Sequence, residues 1–247
     1  MSQGGCLVVS IVSHGHGEQV QRLLEQLASE SAAHIARVVV THNIPEPTLQ
    51  SLQGGWPFEL QILCNRTPRG FGANHNRALQ GAKEPFVCIL NPDVELIEQQ
   101  EPFAALLQTA ALPAVGCAYP QQLDETGRLQ DSTRELPTPH ALWRRRILGH
   151  AEQRVDWVNA ACIVLPLPAW QALRGFDEKY FMYCEDVDLC LRLRLQGLTL
   201  RSAAAQVVHA GQRASHRQLR HLLWHVRSLL LLWMSSAYQR MRESMRE

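Results

Sequence analysis

The segment from Gly175 to Arg192 carries five carboxylates, Asp177, Glu178, Glu185, Asp186 and Asp188, four of them in two adjacent pairs. They stand among Phe176, Tyr180, Phe181, Tyr183, Val187 and Leu189. Carboxylates crowded against apolar walls repel one another and lose water, which pushes at least one toward proton transfer or cation binding. A solvated acidic run would be flanked by Lys, Ser and Gly instead. The apolar residues from Val187 to Leu195 predict a buried helix over Asp186–Gln196, closed by Gly197. Acids at the mouth of a core helix point to an active site.

Four other groups have chemistry open to them. Asn91-Pro92-Asp93 follows the apolar run Phe86–Leu90, and ligands of open parallel sheets bind just beyond the carboxyl ends of strands. A carboxylate there can hold a hard divalent ion that bridges a diphosphate. The same tripeptide also reads as a turn in which Asp93 caps a helix over Val94–Leu107. Arg69–Asn76 holds Gly70 and Gly72, which let backbone approach a phosphate or sugar at a helix N-terminus; a plain turn and cap fits it too, and it is no dinucleotide fingerprint. His209, after Val207-Val208, has the chemistry of a transition-metal ligand. Trp157 offers a ring face to carbohydrate, or simply a core side chain.

These groups need a scaffold. Leu7–Val12, Val38–Val40, Leu60–Leu63 and Phe86–Leu90 read as strands, with helices after Gly17 and over Ala73–Ala82. Alternation of this kind predicts an α/β fold with a mostly parallel sheet. Further strands are expected at Val115–Ala118, Ala161–Leu165, Leu198–Ser202 and Val207–Val208, and a short helix at Pro168–Leu173. Gln121–Gly149, polar and Arg-rich, reads as a mobile loop, and His216–Arg246 as a helical tail. The division expected is a domain over 1–212 and a helical extension over 213–247.

Composition narrows the function. The 247 residues carry a net charge of +1, which gives no reason to expect nucleic acid. Seven scattered cysteines without a CxxC pair suggest a reducing, cytoplasmic setting with neither disulfides nor a zinc site. No apolar run reaches the ~20 residues needed to span a bilayer. From Arg213 onward seven arginines face only Glu243 and Glu247, around Leu229–Met234. That tail reads either as a membrane-surface helix or as one packed on its own domain.

In their order along the chain these segments resemble glycosyltransferase family 2, in particular its bacterial rhamnosyltransferase-like members. The resemblance runs from Val8 to about Ser215. It is carried by Val8–Val12, Gly70–Asn76, Leu90-Asn91-Pro92-Asp93, Val155–Ala161, Gly175–Glu178 and Tyr183–Cys190. It implies a GT-A fold, a nucleotide-diphosphate sugar donor, and inversion at the anomeric carbon. By the same resemblance Asp186 is the catalytic base, with Glu185 orienting the acceptor or the loop. Asp93 and His209 hold Mg²⁺ or Mn²⁺, with Asn91 at the first position of the family's metal motif. Ser13, His42, Asn43, Gly70, Phe71, Gly72 and Asn76 join Asn91 and Asp93 on the donor side. Trp157 and Asn159 contact the acceptor.

Two segments depart from the family. An Asp-Asn pair usually follows the second strand, with the acid near the nucleobase, and here Thr41-His42-Asn43 stands there. Ser13-His14-Gly15-His16 replaces the usual Tyr- and Asn-containing entry after the first strand. The expectation is an inverting, metal-dependent transferase of rhamnose from deoxythymidine-diphosphate rhamnose to a lipid-linked or polysaccharide acceptor at the inner membrane face. A UDP-hexose donor, or a non-catalytic sugar-nucleotide or glycan binder, are the alternatives.

Overall fold

The computed structural model describes residues 5–148, 154–210 and 219–245. Its first half is a run of β1 (Leu7–Ser13), α1 (Gly17–Glu30), β2 (Ile35–His42), β3 (Glu59–Cys64), α2 (Phe71–Ala78) and β4 (Phe86–Leu90). Nearly every residue of β1 and β4 is buried, as expected of strands covered on both faces. The order β3-β2-β1-β4 is parallel throughout. Neighbours of β1 lie on opposite sides of it, so a crevice opens at the carboxyl ends of β1 and β4.

The second half adds β5 (Val94–Leu96), α3 (Pro102–Ala110), β6 (Val115–Leu123), β7 (Thr133–Arg134), α4 (Pro139–Leu148), β8 (Trp157–Val158), β9 (Cys162–Pro166), α5 (Leu167–Leu173), α6 (Glu185–Leu195) and β10 (Thr199–His209). β9 enters antiparallel between β4 and β6, and β10 runs parallel to β6 and antiparallel to β5. The result is a mostly parallel eight-stranded sheet, β3-β2-β1-β4-β9-β6-β10-β5, beside a two-stranded β7–β8 ribbon.

Several expected elements differ. Residues after Asp93 form a strand rather than a helix start, because Val94 and Leu96 are buried and Glu95 between them is exposed. α2 begins two residues before, and ends four before, the helix expected over Ala73–Ala82. Two short strands near the end are one long β10. Gln121–Gly149 is not a loop: its described part holds the end of β6, β7 and α4. It is anchored by Leu136, almost fully buried, whose backbone N–H donates to Asp156 at 2.7 Å. Asp156 is itself fully buried and bound by Arg154 and Arg194.

The expected tail helix is two, α7 (Leu219–Met234) and α8 (Ser236–Ser244). The break is Ser235, in extended backbone, whose Oγ caps the Tyr238 N–H. Leu232, Ala237, Tyr238 and Met241 join a cluster with Tyr180, Val187 and Leu191, so the pair packs on α6. Residues 213–218 of the expected extension lie outside the described residues.

Candidate active site

One side of the crevice is built at the ends of β1 and β2, where Ser13 pairs with His42 in register. Asn43 follows and organises the 65–74 loop. Its Oδ1 accepts from Asn65 Nδ2 and Arg69 N, both at 2.8 Å, and its Nδ2 donates to the Arg69 carbonyl at 3.0 Å. His42 is buried and has Glu46 beside it, Nδ1 to Oε2 4.0 Å. The Glu46 carboxylate also accepts from Ser13 Oγ at 2.6 Å and from the Gly15 N–H at 3.0 Å. An acid therefore does stand at this end of β2, four residues after the position where the family carries one. Sequence reasoning missed it because it arrives from a Pro-flanked loop.

Gly70 and Gly72 have a protein partner. A Cβ on Gly70 would lie 2.8 Å from the Phe181 carbonyl oxygen, and one on Gly72 would lie 2.6 Å from the Phe176 Cβ. Phe71 N–H donates to Phe181 O at 2.9 Å, and the Phe71 ring meets Phe176 edge-on. Asn76 completes the seam: its amide is bonded to both the N–H and the carbonyl of Phe176, at 2.9 Å each. The two glycines thus let α2 dock against the acidic 175–181 segment. His75, fully buried on the same helix, contacts Ser10 Oγ at 2.8 Å, and burial pushes its imidazole down to about 3.

Asp93 and His209 meet because β5 pairs with β10, His209 lying opposite Val94. His209 Nε2 stands 3.4 Å from Asp93 Oδ1. Partial burial opposes ionisation of Asp93, yet His209, and His16 more weakly, outweigh it and hold the carboxyl below its ordinary value. Neighbouring ligands of one octahedral ion at ~2.1 Å stand about 3 Å apart, so this oxygen and nitrogen fit a shared divalent cation. Among the described residues no group of three or more His, Cys, Asp or Glu could hold a metal. The remaining ligands would come from donor and water.

The paired carboxylates stand at the N-terminus of α6. Tyr183 and Cys184 both have left-handed backbone, φ 71° and 66°, immediately before Glu185. Such conformations in non-glycine residues store strain and cluster at working sites. Glu185 and Asp186 line a cavity of about 220 Å³ with Arg134, Trp157, Tyr183, His225 and Leu229 among its walls. Burial, then the neighbouring Asp186 charge, raises Glu185 to about 8; burial raises Asp186 to about 6. One Glu185 oxygen is buried without a hydrogen-bond partner, and among the described residues Asp186 makes no ion pair. Asp188 of the same run is structural, bound to Arg192 at 2.6 Å.

Trp157 shows one face to the Arg134 guanidinium, 5.7 Å away, and donates from Nε1 to the Glu135 carbonyl. Asn159 is held in a reciprocal amide pair with Gln122, at 2.6 and 3.0 Å. Between them runs the connection that unites the site. The Ala160 backbone lies near enough to Asp186 to favour its ionised form, and the Ala161 carbonyl accepts from Asn91 N–H at 2.8 Å. Asp186 and the Asn91–Asp93 turn therefore both adjoin the Trp157–Ala161 segment. A larger cavity, about 950 Å³, lies between α1 and residues 45–50, and neither Asp93 nor Asp186 lines it.

The model of a family described as "Glycosyltransferase like family 2" matches residues 5–236. The chain belongs to that family. It is 27% identical over 243 residues to the rhamnosyltransferase WbbL of Escherichia coli K12, covering 89% of each chain. It is also 27% identical over 254 residues to a Mycobacterium tuberculosis N-acetylglucosaminyl-diphospho-decaprenol L-rhamnosyltransferase, covering 90% of this chain and 82% of that one. Among solved structures, it matches a Pyrobaculum calidifontis mannosyltransferase in complex with GDP-Man and Mn²⁺ at TM-score 0.62 and 15% identity, over 93% of this chain. It matches GalNAc-T7 with UDP, GalNAc and Mn²⁺ at TM-score 0.66 and 14% identity, over 97% of this chain. The chain spans 65% and 50% of those two chains. The fold is GT-A, and the protein is a glycosyltransferase.

Proposed function

We propose that this glycosyltransferase moves a sugar, with inversion, from a nucleoside-diphosphate donor to a hydroxyl of a lipid-linked or polysaccharide acceptor at a membrane face. Deoxythymidine-diphosphate rhamnose is the first donor to try, and a UDP-hexose the second. The observation that carries the reading is Asp186: a carboxylate without an ion pair among the described residues, in a cavity of about 220 Å³, beside the Trp157–Ala161 segment that also holds the Asn91–Asp93 turn. Ionised, it takes the proton from the acceptor hydroxyl as that oxygen attacks the anomeric carbon. Protonated Glu185 places no second charge against it and can donate a hydrogen bond to the acceptor. The names of the WbbL and mycobacterial relatives support rhamnose, and the latter a lipid-linked acceptor.

Asp93 and His209 are the residues that would hold a divalent ion, whose charge would stabilise the departing diphosphate. A carboxylate with an imidazole suits Mn²⁺ better than Mg²⁺, which prefers oxygen alone. On the donor side Glu46 positions His42, turning one ring nitrogen toward the carboxylate and leaving the other for the nucleobase. Incubation with a panel of nucleotide sugars and Mn²⁺, with the product's anomeric configuration read by NMR, tests the reading. Release of inverted product from deoxythymidine-diphosphate rhamnose supports it. Retention of configuration would refute it.

A further inference from the structure

Helix α7 is apolar on two opposite faces. Its inner face is accounted for: Ser228 and Leu232 are buried, and Ser228 Oγ donates to the Met182 carbonyl at 2.8 Å. On the outer face Leu222, Val226, Leu230 and Met234 recur every four residues, 56, 48, 50 and 72% exposed, with Leu223 beside them at 68%. Steps of four advance about 40° each around a helix, so these residues form one stripe across roughly a third of the circumference. Half of the ten large apolar side chains exposed among the described residues lie on this one face. A globular helix ordinarily shows water a polar face there.

We propose that this stripe is a membrane-docking surface, on which the enzyme sits against an anionic phospholipid bilayer. The charge around it selects that occupant. Residues 219–245 contain four arginines and one glutamate, with no lysine or aspartate, and Arg227, Arg240 and Arg242 are exposed. An anionic surface satisfies both the apolar stripe and the arginines. A second copy of the chain would bring the same basic face against itself, and like charges oppose that. α7 has 16 residues, and no helix among those described is long and apolar enough to cross a membrane. It therefore lies in the plane of the interface.

The same helix reaches the chemistry. His225 and Leu229 line the cavity that holds Glu185 and Asp186, and Tyr183 OH meets His221 Nδ1 at 2.8 Å. Docking through the outer face thus sets the Asp186 cavity beside the lipid surface, where an acceptor with an apolar anchor presents its polar head. That consequence rests on the lipid-linked reading above, whereas the docking itself does not.

Co-sedimentation of the full chain with phosphatidylcholine vesicles, with and without phosphatidylglycerol, tests the proposal. The native chain is expected to bind the anionic vesicles about tenfold or more tightly than the neutral ones. Changing Leu222, Val226, Leu230 and Met234 together to Ser should lower binding by about tenfold or more. Arg227→Gln with Arg240→Gln and Arg242→Gln should abolish the preference for anionic lipid and its salt sensitivity. A measurement on the native chain needs no variant: lipids brominated in the acyl chain should quench its tryptophan fluorescence through Trp224 and Trp233 on α7. Failure of the native chain to sediment with either vesicle overturns the proposal. So does a concentration-dependent dimer that the Ser changes abolish while vesicle binding stays intact. Vesicle binding without sugar transfer would leave the docking standing and count against the acceptor reading alone.

Discussion

His209 Nε2 lies 3.4 Å from Asp93 Oδ1, brought there by the register of two strand ends 115 residues apart. The Ala210 N–H also donates to the Asp93 carbonyl at 3.0 Å, so backbone and side chains together join the end of β10 to the turn after β4. His209→Ala should weaken Mn²⁺ binding about tenfold or more, and Asp93→Asn at least as much. Paramagnetic resonance titration of Mn²⁺ in the presence of a nucleoside diphosphate measures this without turnover. Unchanged affinity in both variants would remove the pair from the metal site.

The raised carboxyls predict opposite responses of rate and stability to pH. Asp186 must be ionised to act, so kcat/KM should rise with slope one as pH passes about 6. Glu185 is lifted from 4.5 to about 8, so its contribution to stability is complete below about 4.5 and is lost as pH rises through about 8. Glu185→Gln abolishes that loss. It should stabilise the protein at pH 8 relative to the native chain and by much less at pH 4.5, read by denaturant unfolding.

Gly70 packs under the Phe181 backbone with no room for a methyl group. Gly70→Ala should cost about 1–3 kcal/mol of stability and loosen the seam between α2 and the acidic segment. Thermal unfolding measures the first, and protease sensitivity near Phe181 the second.

Glu46→Gln removes the charge beside His42 and keeps one oxygen to accept from Ser13 or the Gly15 N–H, the other becoming an amide donor. Calorimetric titration should show weaker binding of deoxythymidine diphosphate, by about tenfold, with Mn²⁺ affinity unaltered. Equal loss of both would make Glu46 a general prop of the fold.

Much of this was legible beforehand where one local pattern decides the outcome. Strands β1 and β4 show themselves as unbroken apolar runs, and Asn91–Asp93 as the stop after one of them. The helix carrying Glu185 and Asp186 announces itself through its leucines and Gly197. What escaped depends on partners distant in sequence. β5 has only Val94 and Leu96 to mark it, and pairing with β10 makes it a strand. The region from Gln121 looked mobile because Leu136, which anchors it, is isolated in a polar stretch and held by Asp156. Gly70 and Gly72 signalled close approach, but only coordinates say that Phe181 and Phe176 do the approaching. Glu46 reaches His42 from a loop with no periodicity at all.

The central claim is that Asp186 takes the acceptor proton. Asp186→Asn keeps the size of the side chain and an oxygen to accept from the Val187 N–H, and removes the base. Sugar transfer in this variant should fall about a thousandfold, while donor affinity, measured by calorimetry with Mn²⁺, stays within about twofold of the native value. Transfer at the native rate with donor still bound would contradict the account.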